Sequence, residues 1–347
     1  MSSLVLISRQ RVLSHVTDKG KAVWFLALLS PIIAELMSGS SPPLEFFNPF
    51  SFVGLLGMYG AGVVLVRELS VRWGKGWASV IILGAAYGII EEGLAVKSFF
   101  DPGWMDLGNL AFYGRFWSVN WVWAVWLTIY HSTISISLPI LIFGLAYPEF
   151  KRSRILTEKQ FAIVLVLFIL DVETYAALLL FNYVPNLAQY MLAIAVVAFL
   201  VLAARIAPVG MISARHPMPT WKPWKFYFLG LLFISSEFVV ASAAFTRGIH
   251  PLGTIALLLA FCAGTMLLLQ HKMGQGGNEP QKASFAAGLM SFLVMLGFLL
   301  ELGGVLGMAV VSVMAIIFLV DLNRMVRGKS VLLFFRDRVR RRVRLIM

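Results

Sequence analysis

Ten long apolar stretches follow one another along the chain, near residues 22–38, 50–69, 77–96, 120–146, 161–182, 187–207, 225–245, 252–270, 284–300 and 303–321. Most run 17 to 22 residues, against the ~20 that an α-helix needs to cross ~30 Å of hydrocarbon. The tightest junctions are Tyr183-Val184-Pro185-Asn186 and the hairpin around Leu302-Gly303-Gly304. Short alternating segments, the mark of an outer-membrane barrel, are absent. The pattern predicts an all-α, polytopic integral membrane helix bundle. A single transmembrane domain over 1–321 is followed by a basic tail over 322–347.

Composition agrees with this. Hydrophobic residues make up 59% of the 347 and charged residues 13%, whereas soluble proteins carry about a quarter. With the N-terminus in the cytoplasm, 25 of the 29 basic residues fall in inner loops or the C-terminal tail, as the positive-inside rule requires. Both termini are therefore expected to be cytoplasmic, in a multi-pass protein of the plasma membrane. The first stretch, with Ser38-Gly39-Ser40 behind it, has the outline of a cleavable signal peptide, but a mid-core Glu35 is foreign to one. The net charge of +12 does not point to nucleic acid, because the basic residues sit at helix ends and in the tail rather than on one surface. The tail, Val331–Met347, interleaves apolar residues with arginines and reads as an interfacial helix on anionic lipid. Trp73, Trp77, Trp221 and Trp224 read as an inner aromatic belt, and Trp104, Trp117, Trp121 and Trp123 as an outer one. The single cysteine, Cys262, leaves no internal disulfide and no cysteine zinc site.

Ionisable residues inside the spans carry the candidate chemistry. At ~1.5 Å of rise per residue, Glu35, Glu91, Glu92, His131, Asp171, Glu173 and Glu237 can share one layer of the bundle. Six carboxylates then face one histidine, with no lysine or arginine among them. Bare negative charges are untenable there, so protons, hydrogen bonds or a bound cation must neutralise most of them. Arg67 and Glu68, at the inner edge, can snorkel or pair and are set aside.

Helical spacing assigns faces. Glu92 stands one turn above Gly88 and two above Gly84, a stripe that lets another helix approach closely. Glu91 is rotated ~100° from it, on the side of Tyr87. Asn120, Thr128, His131 and Ser135 form a polar stripe on the fourth span. The stretch from Phe99 to Trp117, with its Asp101-Pro102-Gly103 turn, reads as an ordered lid or re-entrant segment.

The segment Gly84–Ser98 (GAAYGIIEEGLAVKS) and the later Leu127–His131 (LTIYH) resemble the CAAX-processing and bacteriocin-processing (CPBP) intramembrane proteases. That family carries paired glutamates on one membrane helix, an F-x-x-x-H motif on the next and a later H-x-x-x-N/D. The resemblance implies a metal-dependent hydrolase acting on a membrane-embedded peptide. Glu91 or Glu92 would activate water, and His131 would bind a divalent metal ion or the oxyanion. Leu127 replaces the family's phenylalanine, Lys97 follows the second glutamate at five positions rather than four, and no later span carries a histidine. Glu237 would then join Glu92 and His131 as a ligand, with Asp171 and Glu173 as substitutes and Glu35 in support. Buried carboxylates equally fit a proton- or cation-coupled carrier, and a scaffold with a structural polar layer is the third alternative.

Overall fold

The computed structural model describes residues 18–179 and 183–335. Among these, long helices follow the expected order: α1 (18–36), α2 (Pro49–Arg72), α3 (Trp77–Ala95), α4 (Trp121–Ala146), α5 (Glu158–Leu178), α6 (Leu187–Ile206), α7 (Pro223–Thr246), α8 (Pro251–Lys272), α9 (Glu279–Leu302) and α10 (Met308–Val326). Nine of the described helices, α2 to α10, are long and apolar enough to cross a membrane. The expected span at 22–38 corresponds to α1, whose Asp18, Lys19, Lys21 and Glu35 make it more polar than the rest. Its Ala22, Leu26, Ser30 and Ile33 are nevertheless buried at the centre of the bundle. The span expected from 303 starts at Met308 instead, because Gly304 and Gly307 take left-handed backbone angles and break the chain between α9 and α10.

Helices α1 to α4 form the buried heart of the protein, whereas α5, α6 and α8 expose most of their apolar length. That distribution fits helices bordered by lipid on one side. Helices α7 and α9 cross where Gly230 and Gly288 face each other's partner. A Cβ on Gly288 would lie 2.0 Å from the carbonyl oxygen of Tyr227, and one on Gly230 2.4 Å from that of Phe285. Small residues thus bring backbones into direct contact where lipid offers no hydrophobic drive. Helix α5 lies along a second glycine row on α2, with Phe168 at Gly62, Asp171 at Gly57 and Tyr175 at Gly54.

The connection from α3 to α4 is ordered, as its turn chemistry predicts. Phe99, Phe100, Leu107 and Leu110 are buried. The Asp101 carboxylate accepts from Gly103 N–H at 2.8 Å. A short hairpin pairs β1 (Arg115–Phe116) with β2 (Val119–Asn120). Both turn residues, Trp117 and Ser118, have positive φ, which is the primed geometry that a two-residue hairpin turn needs.

Two expectations are corrected. Trp123 is buried rather than part of the outer aromatic belt. Of the tail helix expected over Val331–Met347, residues 336–347 lie outside the described residues, and Val331–Phe335 are not helical. The N–H groups of Leu332, Leu333 and Phe334 instead converge on the buried Asp321 carboxylate at 2.6, 2.6 and 2.8 Å. Of the two alternatives for Arg67 and Glu68, pairing holds: they form a fully enclosed ion pair. Arg67 also donates to the carbonyl oxygens of Phe150 and, at 2.6 Å, Ser153. Glu68 accepts from Ile155 N–H at 3.0 Å and stands 3.4 Å from Arg72 Nε. This cluster ties the α4–α5 loop to the end of α2.

Removing Glu68 strands two arginines without their buried counter-charge. Glu68→Ala should therefore lower unfolding stability by about 3–5 kcal/mol. Glu158, exposed and paired with Arg72 and Arg154, should cost under about 1 kcal/mol when changed to alanine. Thermal unfolding of the two variants in detergent micelles checks the contrast.

Candidate functional site

Four stretches of the described residues are wound as π-helix rather than α-helix: Ile32–Leu36 in α1, Leu56–Gly60 in α2, Ile90–Ala95 in α3 and His131–Ser137 in α4. Each carries part of one polar cluster: Glu35, Tyr59, the Glu91/Glu92 pair, and His131 with Ser135. A π turn closes i→i+5 and shifts the helical ladder by one residue, and such turns concentrate at functional sites. Side chains from other helices seal the carbonyls inside three of them. Tyr130 Oη donates to Ala34 O at 3.1 Å, Ser30 Oγ to Ser135 O at 2.6 Å and Tyr190 Oη to Leu94 O at 3.0 Å.

The glycine face of α3 sets the approach of α4. A Cβ on Gly88 would stand 2.9 Å from His131 Cβ, and one on Gly84 2.9 Å from Ser132 Cα. Ser132 Oγ adds a hydrogen bond to Ile81 O at 2.7 Å. With the backbones this close, both glutamates reach one imidazole nitrogen. His131 Nε2 lies 3.0 Å from Glu92 Oε1 and 3.0 Å from Glu91 Oε2. Neighbouring side chains diverge by ~100° on an α-helix. Here the π turn of α3 and the length of the glutamate side chain bring the two carboxylates together, so the expected separation of Glu91 from Glu92 does not hold.

Hydrogen-bond accounting distinguishes the two carboxylates. Glu92 Oε1 lies in line with His131 Nε2, and Glu92 Oε2 accepts from Ser98 Oγ. Ser98 in turn accepts from Trp123 Nε1 at 3.0 Å. Glu91 Oε2, equally near Nε2, is buried without a hydrogen bond, because one ring N–H cannot point at two acceptors. Its other oxygen, Oε1, accepts from Tyr59 Oη at 3.2 Å. Tyr59 Oη also lies 2.5 Å from Glu35 Oε1, and Ser41 Oγ donates to Glu35 Oε2 at 2.9 Å. One phenolic proton serves two carboxylates here, so a second proton on Glu35 or Glu91 completes the chain. On the far side of the ring, His131 Nδ1 lies 3.0 Å from Ser135 Oγ. When Nδ1–H donates to Ser135, Nε2 presents its lone pair to the carboxylates.

Glu91, Glu92 and His131 each offer a ligand atom, and these atoms lie within 4.8 Å of one another. One imidazole and two carboxylates, all buried, form a donor set for a divalent cation. The orphaned Glu91 oxygen is the lone pair that such a cation would satisfy.

The remaining expected residues fall elsewhere. Glu237 is buried on α7 with both carboxylate oxygens unpartnered, outside the Glu91–Glu92–His131 cluster. Asp171 packs against Gly57 of α2, outside the Glu91–Glu92–His131 cluster. Glu173 is exposed on the outer surface of α5. Depth along a span puts these three in one layer with the cluster; none of them joins its converging ligand atoms. Asn120 is no part of a polar stripe, since it caps α4 by accepting from Trp123 N–H at 3.1 Å and donating to Leu110 O at 2.7 Å. Thr128 sits in the contact with Gly88. Lys97, buried at a positive φ, donates to Ala176 O at the end of α5.

Tyr59, Ser98 and Trp123 were not anticipated as site residues. Ser98 lies inside the motif segment, but neutral hydroxyls and indoles carry no charge signal in an apolar span.

Residues 24–341 match a family described as an uncharacterized membrane protein family. The chain belongs to that family. It is an integral, multi-pass membrane protein, and no curated protein and no solved structure matches it.

The glycine contact makes a direct prediction. Gly88→Ala forces α3 and α4 apart at His131 and should lower stability by about 1–3 kcal/mol. Gly264 on α8 has nothing within 4 Å of an added Cβ, so Gly264→Ala should be neutral or up to about 1 kcal/mol stabilising. Thermal melts of both variants in the same detergent measure the difference.

Proposed function

We propose that this protein is a CPBP-like intramembrane metal-dependent hydrolase that cleaves a peptide bond within the membrane. The observation that carries the proposal is the convergence of Glu91, Glu92 and His131 at the junction of α3 and α4. The resemblance of Gly84–Ser98 and Leu127–His131 to the protease family rests on these same residues.

A divalent cation held by His131 Nε2 and Glu91 Oε2 would supply Lewis acidity and lower the pKa of a bound water. The chain's own groups do the rest. Ser135 holds the orientation of the His131 ring. Ser98 and Trp123 hold one oxygen of Glu92 in place, which leaves its other oxygen to accept a proton from water. A proton on Glu91 has its own route through Tyr59 to Glu35. Buried side chains around the cluster, among them Tyr87 and Tyr130, keep bulk water away and strengthen each electrostatic contact. Under this reading the chain works in the plasma membrane on a membrane-embedded peptide, and its basic tail meets anionic lipid.

The purified protein should then hold about one divalent ion per chain, measured by elemental analysis after dialysis, and His131→Ala should release it. Glu92→Gln should reduce peptide cleavage about a hundredfold to ten-thousandfold, the usual weight of a general base. Unaltered metal content and cleavage in both variants would remove the basis of the hydrolase reading.

The hydrogen-bonded run from Glu91 through Tyr59 to Glu35 favours one second reading, a proton- or cation-coupled carrier. Proteoliposomes would then show flux that follows an ion gradient and is lost in Tyr59→Phe, with no peptide cleavage.

A further inference from the structure

At the opposite end of the bundle from the α3–α4 connection, basic side chains meet where the α4–α5 loop passes the start of α9. The ammonium group of Lys151, in that loop, is within hydrogen-bonding reach of that of Lys282 in the first turn of α9, and Arg152 lies close to both. Glu149 and Glu279, the nearest carboxylates along the chain, are exposed. No ion pair among the described residues includes any of the three cations.

Two scaffolds hold the lysines together. A Cβ on Gly144 would stand 3.7 Å from Lys151 Cγ and 3.9 Å from its Cδ, so the lysine stem lies along bare backbone near the end of α4. Lys282 Nζ donates to Asn278 Oδ1 at 2.6 Å. Asn278, 3% exposed, is itself tied through its amide to Gly274 O at 2.5 Å. Gly274 has a φ of +76°, and an added Cβ there would lie 2.4 Å from the backbone of Met218 and Pro219. Asn278 thus fixes a lysine, and no side chain caps the first N–H groups of α9.

Like charges in contact repel, the more so where one is partly removed from water. The positive-inside rule fills inner loops with lysine, but it does not bring two ammonium groups together. A second pair at the same end of the bundle shows how such charge is otherwise met. Lys225 and Lys272 stand 5.7 and 5.9 Å from the centre of the Trp221 ring, whose face attracts cations. Gln281 joins that pair to the start of α9 by donating to Trp221 O at 3.4 Å. Among the described residues no ring stands over Lys151 or Lys282.

We propose that Lys151 and Lys282, with Arg152 beside them, form a binding site for the phosphate of an anionic phospholipid headgroup. A phosphate presents several oxygens at once. One group therefore accepts from both ammonium ions and turns their repulsion into two charge-assisted hydrogen bonds. The uncapped start of α9 adds the positive end of its dipole. The site is open, since Lys151 and Arg152 are exposed and Lys282 is half-buried. Its level fits a headgroup, because Trp221 of the inner aromatic belt bonds to Gln281 beside it, and basic pockets between helix ends on that side take anionic lipid. The inference does not rest on the hydrolase reading, since none of these residues belongs to the Glu91–Glu92–His131 cluster.

The test titrates the full-length protein in detergent with dioleoylphosphatidylglycerol or, as the neutral headgroup, dioleoylphosphatidylcholine, and reads the adducts by native mass spectrometry. Sodium phosphate, followed by isothermal titration calorimetry, shows whether a free ion suffices. Phosphatidylglycerol should bind more tightly than phosphatidylcholine. Lys151→Gln and Lys282→Gln should each weaken the tightest phosphatidylglycerol adduct by about fivefold to tenfold, the weight of one basic side chain beside a headgroup. Phosphatidylcholine should bind all variants equally. Lys272→Gln removes the same charge from the same end of the bundle and should change phosphatidylglycerol binding by less than about twofold. Lipid drawn to the basic tail is common to all these proteins and cancels.

Sodium phosphate bound with the same dependence on Lys151 and Lys282, where phosphatidylglycerol is not, keeps the phosphate site and assigns it to a soluble ion. Equal binding of the two lipids, or equal losses in Lys272→Gln and Lys282→Gln, overturns the site, since diffuse charge then accounts for the attraction. Absence of binding by both phosphatidylglycerol and phosphate overturns it too. Thermal unfolding close to wild type confirms that each variant is folded. If Lys282→Gln fails that check, the contrast between Lys151→Gln, at an exposed position, and Lys272→Gln decides.

Discussion

Everything at the polar centre depends on how closely α3 and α4 approach. Glu91 and Glu92 can both reach His131 Nε2 only because Gly84 and Gly88 present bare backbone to Ser132 and His131. An alanine at either position would occupy space already filled. In a bilayer, where apolar surface gains little by leaving lipid, such a contact is held by packing and interhelical hydrogen bonds. The Ser132–Ile81 and Ser30–Ser135 bonds supply these from either side of the imidazole.

The π-helical segments are the second part of the same device. In each of the four central helices the backbone widens where it delivers a polar side chain, and hydroxyls from neighbouring helices meet the carbonyls inside three of those segments. The two effects are coupled. Shifting the ladder by one residue aims Glu35, Tyr59, the glutamate pair and His131 inward, and the hydroxyls make that shift tolerable where water is scarce.

This division explains what could be read from the residues alone. Span positions came from hydropathy, which depends on length and composition; the limits of α2 to α9 fall within about five residues of the expected ones. The Gly84–Gly88–Glu92 stripe was legible because one helix approaching another needs small residues at one-turn spacing. The Glu91–Glu92–His131 convergence was anticipated only through the motif resemblance, since regular α geometry sends the two glutamates apart. Depth alone could not say whether Glu237, Asp171 and Glu173 join the cluster, because depth fixes one coordinate and the angle around the helix fixes another. The Gly54–Gly57–Gly62 row on α2, facing Tyr175, Asp171 and Phe168, carried that angular information for Asp171. It says that Asp171 faces a glycine seam on α2. Tyr59, Ser98 and Trp123 had no comparable signal: each is a neutral polar group whose role appears only when its partner is known.

The correction also sharpens the electrostatics. A diffuse layer of six carboxylates becomes a connected group of three, Glu35, Glu91 and Glu92, around one imidazole and one phenol, with Glu237, Asp171 and Glu173 outside it. Isolated buried carboxyls can each be neutralised by a single proton, without reference to the others. The connected group cannot, because each charge acts on its neighbours through hydrogen bonds and contacts of 2.5 to 3.2 Å. Adding positive charge at one point, whether a proton on Tyr59's partner or a cation beside His131, redistributes the rest along the chain. Such a group is suited to move a proton between Glu91 and Glu35 through Tyr59, beside the Glu92–His131 contact. Hydrolysis by a general base and ion-coupled transport both need that property, and a purely structural brace does not.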